Sequence, residues 1–448
     1  MSSLLIAVGG TGQHVALAAS RLVFLGALPR MELAIIDSDD SSELASALRT
    51  FGGTIEPPYT EHPLINGDKI FSPFDKTEKR DPQFQELFLN SRTPDVEREI
   101  FELCFEDRSA TLSIKDGMFG RPSVGATVFT YNKKQQLHPI FKAARQADPI
   151  FIAGSMVGGT GAGLIHQLVK AIHSEEEGKR LYGLIFLRWF RVPPNIVGQT
   201  IDDGTLDRNM RYGLDYFFKD TRSLLKASLL IGVPDSPPAD EVKPLMLEAG
   251  KTDEKKHYLH VIAAFGMHKL PNIAVTEQTE GSIYAAAFTS AEKMYEESWR
   301  EKPLHWFVNR ARFVNEILKY ASSPKFKAEL SASFRFFGRK PENVGRGLYE
   351  AIAQYDKARR KTVIDEMAKT WSRLSEQYEF SLRWLDDVLG PLPERLEHER
   401  YKRVRENETD RVKEIQTLWA KPLPAEIESP EPHEIAKQFH SALVREFA

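Results

Sequence analysis

Gly154-Ser155-Met156-Val157-Gly158-Gly159-Thr160-Gly161-Ala162-Gly163 carries five glycines in ten residues. It lies between an apolar run, Pro149–Ala153, and a helix-period pattern through Leu164, Leu168 and Ile172. That is more glycine than a strand-to-helix turn requires. Backbone amides without a Cβ in the way can approach phosphate oxygens, and the helix N-terminus adds partial positive charge. The stretch is therefore expected to wrap a polyanion, with several amides and the Thr160 hydroxyl turned inward. The Gly-Lys-Ser/Thr ending of a Walker A loop is missing.

Upstream, the apolar run Leu4–Val8 ends in Gly9-Gly10-Thr11-Gly12-Gln13-His14, and a helical pattern follows through Val15, Leu17, Ala18, Leu22 and Leu25. A second apolar run, Leu33–Ile36, closes on Asp37-Ser38-Asp39-Asp40. Strand, glycine turn, helix, strand and acidic loop open a doubly wound α/β domain. Taken alone, the first loop has three readings: a phosphate loop, a tight turn without a ligand, and a Rossmann dinucleotide site. The last is weakened because Val15 stands where the third glycine of G-x-G-x-x-G belongs. Two phosphate-type loops in one domain fit a nucleoside di- or triphosphate held from two sides.

Further elements follow the same logic. Residues 52–85 read as a surface excursion, Pro94–Phe105 as a helix and Gly117–Gly125 as a glycine-punctuated segment. Leu181–Leu187 and Ala227–Val233 read as strands, with a long helix, Leu206–Leu225, between them. Prolines between Pro234 and Pro244 mark a boundary or loop. Beyond about residue 280 the pattern turns helical. Trp371, Leu374, Tyr378, Leu382, Leu385 and Leu389 recur at spacings of three and four until Gly390-Pro391 stops them. Glu397–Leu418 reads as a second, charged helix and 433–448 as a short terminal one. Ile273–Thr276 and Ser333–Phe337 are weak strand candidates. Trp299, Trp306, Phe307, Trp371 and Trp384 are read as core.

Bulk properties narrow the classes. A net charge of −3 gives no general attraction to nucleic acid or to anionic membrane surfaces. Cys104 is the 1 cysteine, which excludes an internal disulfide framework and a multi-cysteine zinc site and fits a reducing cytoplasm. The apolar opening Met1–Gly9 runs straight into a glycine turn, as a buried strand does and a targeting segment does not. No apolar stretch reaches the roughly 18 residues that a membrane span needs. The histidines are scattered, and no metal-ligand or Ser/His/Asp cluster is visible.

Met156–Gly163 resembles the signature loop of tubulins and FtsZ, G-G-G-T-G-[ST]-G, with Val157 in the first glycine position and Ala162 in the Ser/Thr position. Gly9–His14 is similar to the first nucleotide loop of that superfamily. Arg121-Pro122-Ser123-Val124-Gly125 resembles the FtsZ third-loop pattern N-P-x-x-G. Leu206-Asp207-Arg208-Asn209 is similar to the opening of the tubulin core helix. Order and approximate spacing agree over residues 4–226, and the likeness is strongest to divergent bacterial members.

The resemblance implies a Rossmann-like tubulin/FtsZ nucleotide-binding domain with a core helix (1–226), a divergent small α+β second domain (227–340) and a largely helical C-terminal region (341–448). It implies GTP or GDP with Mg2+ as ligands. Gly10, Thr11, Gly12 and Gln13 would meet the α- and β-phosphates, and Gly158, Gly159, Thr160 and Gly161 would meet them from the other side. Arg121 and Gly125 would lie near the γ-phosphate, Asp37 and Asp39 near metal and phosphate, and Asn209 at the guanine edge. Tyr212 stands as base-stacking or core.

Two departures stand out. The N-x-D-x-x-[DE] acid motif that completes a neighbouring subunit's site is absent after residue 226, and the nearest substitutes are Asp253 and Glu254. The helical region also replaces much of the usual second domain. The resemblance still implies head-to-tail self-association and slow metal-assisted GTP hydrolysis. The alternative is a non-polymerising nucleotide switch that docks a protein partner through its helical C-terminal region. A Rossmann oxidoreductase is the third reading.

Overall fold

The computed structural model describes residues 2–37, 70–71, 83–89, 93–105, 110–111, 120–136, 138–176, 178–191, 203–233, 245–246, 257–277, 280–285, 292–334, 346–418 and 431–447. The chain divides into two compact units, one running essentially to Ser290 and one built chiefly on Ala291–Ala448.

The first unit is a sheet of 7 strands: β1 (Ser2–Val8), β2 (Met31–Ile36), β3 (Ile70–Phe71), β4 (Ala147–Ser155), β5 (Leu181–Phe186), β6 (Ala227–Ile231) and β7 (Ser282–Ala285). They lie in the order β3-β2-β1-β4-β5-β6-β7, and every pairing is parallel. Helices connect them: α1 (Gly9–Phe24), α2 (Asp95–Cys104), α3 (Pro122–Gln136), α4 (His138–Gln146), α5 (Gly159–Glu175), α6 (Asp203–Tyr216) and α7 (Tyr258–Glu277).

The central strands are continuous apolar runs because both of their faces are covered. Leu4–Val8 and all six residues of β5 are buried. Leu4, Ile6, Ile150 and Ile152 pack with Leu164, Leu168 and Ile172 of α5 in one core. The strand order reverses direction from β1, with β2 on one side and β4 on the other. Crevices at such a switch point lie at the carboxyl ends of the strands, where α1 and α5 begin.

The doubly wound domain expected from sequence is present. Strand β6 and the unforeseen β7 belong to this sheet, so a second domain does not begin at 227; the compact unit continues to about residue 290. Helix α6 is the crossover between the adjacent strands β5 and β6, and it passes through a π turn, Phe217–Thr221, before β6. Ile273–Thr276 is helical, inside α7. Ser333 ends a helix, and 335–337 lie outside the described residues.

The second unit is mainly helical: α8 (Leu304–Ala321), α9 (Pro324–Ser333), α10 (Arg346–Ala353), α11 (Arg360–Leu389), α12 (Glu399–Glu406), α13 (Glu408–Leu418) and α14 (Pro432–Glu446). The apolar stripe of α11 is buried from Val363 to Leu389, and the helix ends at Gly390 with φ 76°, a left-handed value that suits glycine. Trp371 donates from Nε1 to the carbonyl of Ala436 at 3.2 Å, which ties α11 to α14. The single helix expected over Glu397–Leu418 is two. Asn407 takes an extended conformation between them, and its side chain accepts from the Thr409 amide at 2.9 Å as an N-cap. Trp299, Phe307, Trp371 and Trp384 are buried as expected, and Trp306 is half-buried. Among the described residues no helix is long and apolar enough to cross a membrane.

Candidate functional site

The site forms where α1, α3 and α5 begin. Gly9 has φ 68°, and a Cβ there would stand 3.3 Å from the Gly161 amide nitrogen and from the Thr160 Cβ, so the two glycine loops touch. A Cβ on Gly12 would fall 2.7 Å from the Ala153 carbonyl oxygen, which seats the start of α1 on the ends of β1 and β4. A Cβ on Gly125 would fall 2.7 Å from the Gly159 carbonyl oxygen, and one on Gly163 2.5 Å from that of Pro122. The first turns of α3 and α5 thus pack backbone against backbone.

Two loop glycines behave otherwise. Space for a Cβ at Gly10 and at Gly158 holds no protein atom within 4 Å. Gly158 is the N-cap of α5 and offers no side-chain cap, so the first-turn amides of Gly159, Thr160 and Gly161 have no intrahelical acceptor. Acidic residues commonly occupy the first turn of a helix, where they offset its dipole. The first turns of α1, α3 and α5 contain none, as is also true of α4 and α7 to α11, whereas α2 has Asp95 and Glu97 and α6 has Asp203. Arg121, immediately before α3, adds a cation to this end of the molecule. Three helix N-termini with no acid in their own first turns bring partial positive charge together at this end of the sheet.

The second loop is held by its own polar contacts. The Val157 amide donates to Ser155 Oγ at 3.1 Å, and the Met156 amide donates to the Phe186 carbonyl at 2.9 Å, anchoring the loop to β5. Gln13, 1% exposed, donates from Nε2 to Asp37 Oδ2 at 2.5 Å, so the acid ending β2 faces the start of α1.

Asn209 sits beside the loops, with Nδ2 donating to the Gly120 carbonyl at 2.7 Å and the Val157 carbonyl at 3.3 Å. It ties the segment before α3 to the second glycine loop. Tyr212, one turn on, is 73% exposed and is not a core residue. Asp39, Asp253 and Glu254 lie outside the described residues.

Sequence reasoning missed two groups. Arg188, beyond β5, pairs with Asp203 at 2.7 Å and Asp207 at 2.6 Å, pinning the segment after β5 to the first turn of α6. The scattered histidines also gather in part: His14 stacks on His260 at 4.9 Å, and Trp189 lies 5.0 Å from His260 and 5.4 Å from His257. Burial first, then His14 and His257, hold the His260 imidazole well below its ordinary range, so it is neutral. Among the described residues no group of histidine, cysteine and carboxylate side chains could hold a metal ion. No local spacing could have revealed this cluster, because its members come from α1, from the segment after β5 and from the start of α7.

An all-parallel, doubly wound sheet with glycine loops meeting at the ends of β1 and β4 is an open α/β architecture whose crevice lies at the carboxyl ends of the strands. Among solved structures the chain is similar to CetZ2 from Haloferax volcanii, a GTPγS-bound protofilament, at 15% identity over 63% of this chain and 64% of that one, with a TM-score of 0.34. It is also similar to CetZ from Methanosaeta thermophila strain DSM 6194, at 13% identity over 61% of this chain and 54% of that one, with a TM-score of 0.35. The alignments thus span less than two thirds of either solved chain. No protein-family model matches the chain, and no curated protein does.

Proposed function

We propose that this chain binds GTP and GDP in the region where α1, α3 and α5 begin, associates with itself head to tail, and hydrolyses GTP slowly. The observation that carries the reading is the meeting of three helix N-termini through close glycine contacts, with open space beside Gly10 and Gly158. Gly10, Thr11, Gly12 and Gln13 take one side of the α- and β-phosphates, and Gly158, Gly159, Thr160 and Gly161 take the other. Arg121 and Gly125 attend the γ-phosphate. Mg2+ is held largely by phosphate oxygens and water, with one or two carboxylates. Asp37, set against Gln13, has the chemistry to supply one. Bound there, Mg2+ would supply positive charge beside the phosphates. Asn209 reads the base in this proposal only through its Oδ1, since its Nδ2 is engaged with backbone carbonyls.

Asp253 and Glu254 are proposed as the acids that orient the attacking water in a neighbouring subunit's site. GTP hydrolysis per molecule should then rise with protein concentration. Asp253→Ala or Glu254→Ala should slow turnover while leaving GTP affinity unchanged, because these groups orient water and do not hold nucleotide. The measurement is specific GTPase activity over a wide concentration range, with pelleting in GTPγS alongside. A flat profile, unaltered by either substitution, would sink the shared-site assignment and leave a nucleotide switch.

A further inference from the structure

Helix α2, Asp95–Cys104, is seated through one face. Phe101, 8% exposed, lies 5.6 Å from Phe84, ring centre to ring centre, and belongs to a small apolar cluster with Val124 and Val128 of α3. The opposite face carries a second apolar stripe. Val96, Ile100 and Leu103 follow one another at spacings of four and three, so they line one side of the helix. They are 66%, 55% and 86% exposed. Single apolar side chains scattered on a surface are ordinary. Among the described residues, however, 6 large ones are exposed, and Val96, Ile100 and Leu103 put half of them on this one stripe.

Negative charge borders the stripe. At about 3.6 residues per turn, Asp95, Glu99 and Glu102 fall along one edge and Glu97 along the other. All of these carboxylates are exposed, and none makes a hydrogen bond or ion pair with a described residue. Arg98, the one cation of the helix, falls on the far side, toward Phe101. These charges decide between occupants. A second copy of α2 would bring like charges edge to edge, and an anionic lipid surface would be repelled.

We propose that this stripe docks an amphipathic helix of a partner protein, one whose apolar residues recur at spacings of three and four and whose borders carry lysine or arginine. Val96, Ile100 and Leu103 supply the contact that excludes water. The exposed carboxylates select the charge of the partner and speed its approach, and they add less to affinity. This surface uses no residue of the proposed nucleotide site, so it stands independently of GTP binding.

The test uses the full chain and a fluorescein-labelled helical peptide of leucine, alanine and lysine, with the leucines at spacings of three and four along one face. Fluorescence anisotropy should show saturable binding of one peptide per chain. A peptide of the same composition with its leucines scattered around the helix, and one with glutamate in place of lysine, should each bind at least about tenfold more weakly. Ile100→Lys, at an exposed position where folding is not at stake, should weaken the basic peptide by about tenfold or more. Glu99→Gln combined with Glu102→Gln should weaken it by about threefold at low salt, and by less as salt rises. Absence of saturable binding overturns the proposal. So does full retention of binding by the Ile100→Lys chain, or equal binding of the acidic peptide. Self-association, or attachment to phosphatidylglycerol vesicles, that Ile100→Lys abolishes would make the occupant a second copy or a lipid surface and overturn it too.

Discussion

Gly10 and Gly158 stand on the two glycine loops with open space where a Cβ would go, whereas Gly12, Gly161 and Gly163 would each drive a Cβ to within 2.7 Å of backbone. For Gly161 the obstacle is the Ser155 carbonyl oxygen at 2.6 Å. In the second loop, three of the five glycines (Gly154, Gly161 and Gly163) are accounted for by contacts with neighbouring strands and helices. Glycine richness therefore has two causes here. One group lets protein approach protein, and the other leaves amides open to something that is not protein. Counting glycines in a sequence merges the two.

The largest effect should come from the open group. Gly158→Val or Gly10→Val should leave the melting temperature unchanged and weaken GTP by roughly a hundredfold or more, since branched carbons would stand where charge-assisted bonds to phosphate form. Calorimetric titration of the folded variants decides it. Wild-type affinity in both would make the loops structural and dissolve the distinction.

The packed group should show the reverse. Gly161→Ala or Gly163→Ala should cost about 1–3 kcal/mol of stability in urea unfolding, because the obstacle is backbone and cannot swing aside. Unaltered stability in both would mean that the strands and helices move apart more readily than their contacts imply.

Asn209 sharpens the comparison by joining a loop to its neighbour. Asn209→Ala removes the bonds to the Gly120 and Val157 carbonyls and should weaken nucleotide by about 1–2 kcal/mol through a misplaced loop. A tie of this kind predicts equal losses for GTP and ATP. Loss confined to GTP would instead make Asn209 a base reader through Oδ1.

The smallest effect is a pH dependence. Burial chiefly, then Lys170, lower the His166 imidazole to about 4, with Asp220 opposing. The unfolded chain binds this proton near 6.5 and the folded chain does not. Stability is therefore full above about pH 6.5 and falls as pH drops toward 4, by about 1 kcal/mol between pH 6.5 and 5.5. His440, likewise lowered to about 4 by burial, adds to the slope. Unfolding curves of His166→Gln should show a shallower slope over that interval; an identical slope would remove His166 from the titration.

Legibility differed between elements for physical reasons. Strands β1, β4 and β5 announce themselves as unbroken apolar runs because helices cover both faces, and α11 because one stripe is buried from Val363 to Leu389. Strand β7, Ser282–Ala285, sits at the sheet edge only partly buried, so its pattern is faint. Gly125 looks like a helix breaker, yet α3 runs through it, because a side chain there would strike the Gly159 carbonyl. Asn407 splits an apparently continuous charged helix because its side chain caps the following segment.

By itself the sequence determined the α/β core, the two glycine loops at strand ends and the helical C-terminal region, since each follows from local periodicity and composition. Only the tertiary structure decided which glycines hold backbones together, what Asn209 touches, and that β6 and β7 complete the first sheet. It also decided that His14, His257 and His260 come together, and which face of α2 stays exposed. These depend on which elements become neighbours, and burial of apolar faces sets that across the whole chain without leaving a mark at any one position.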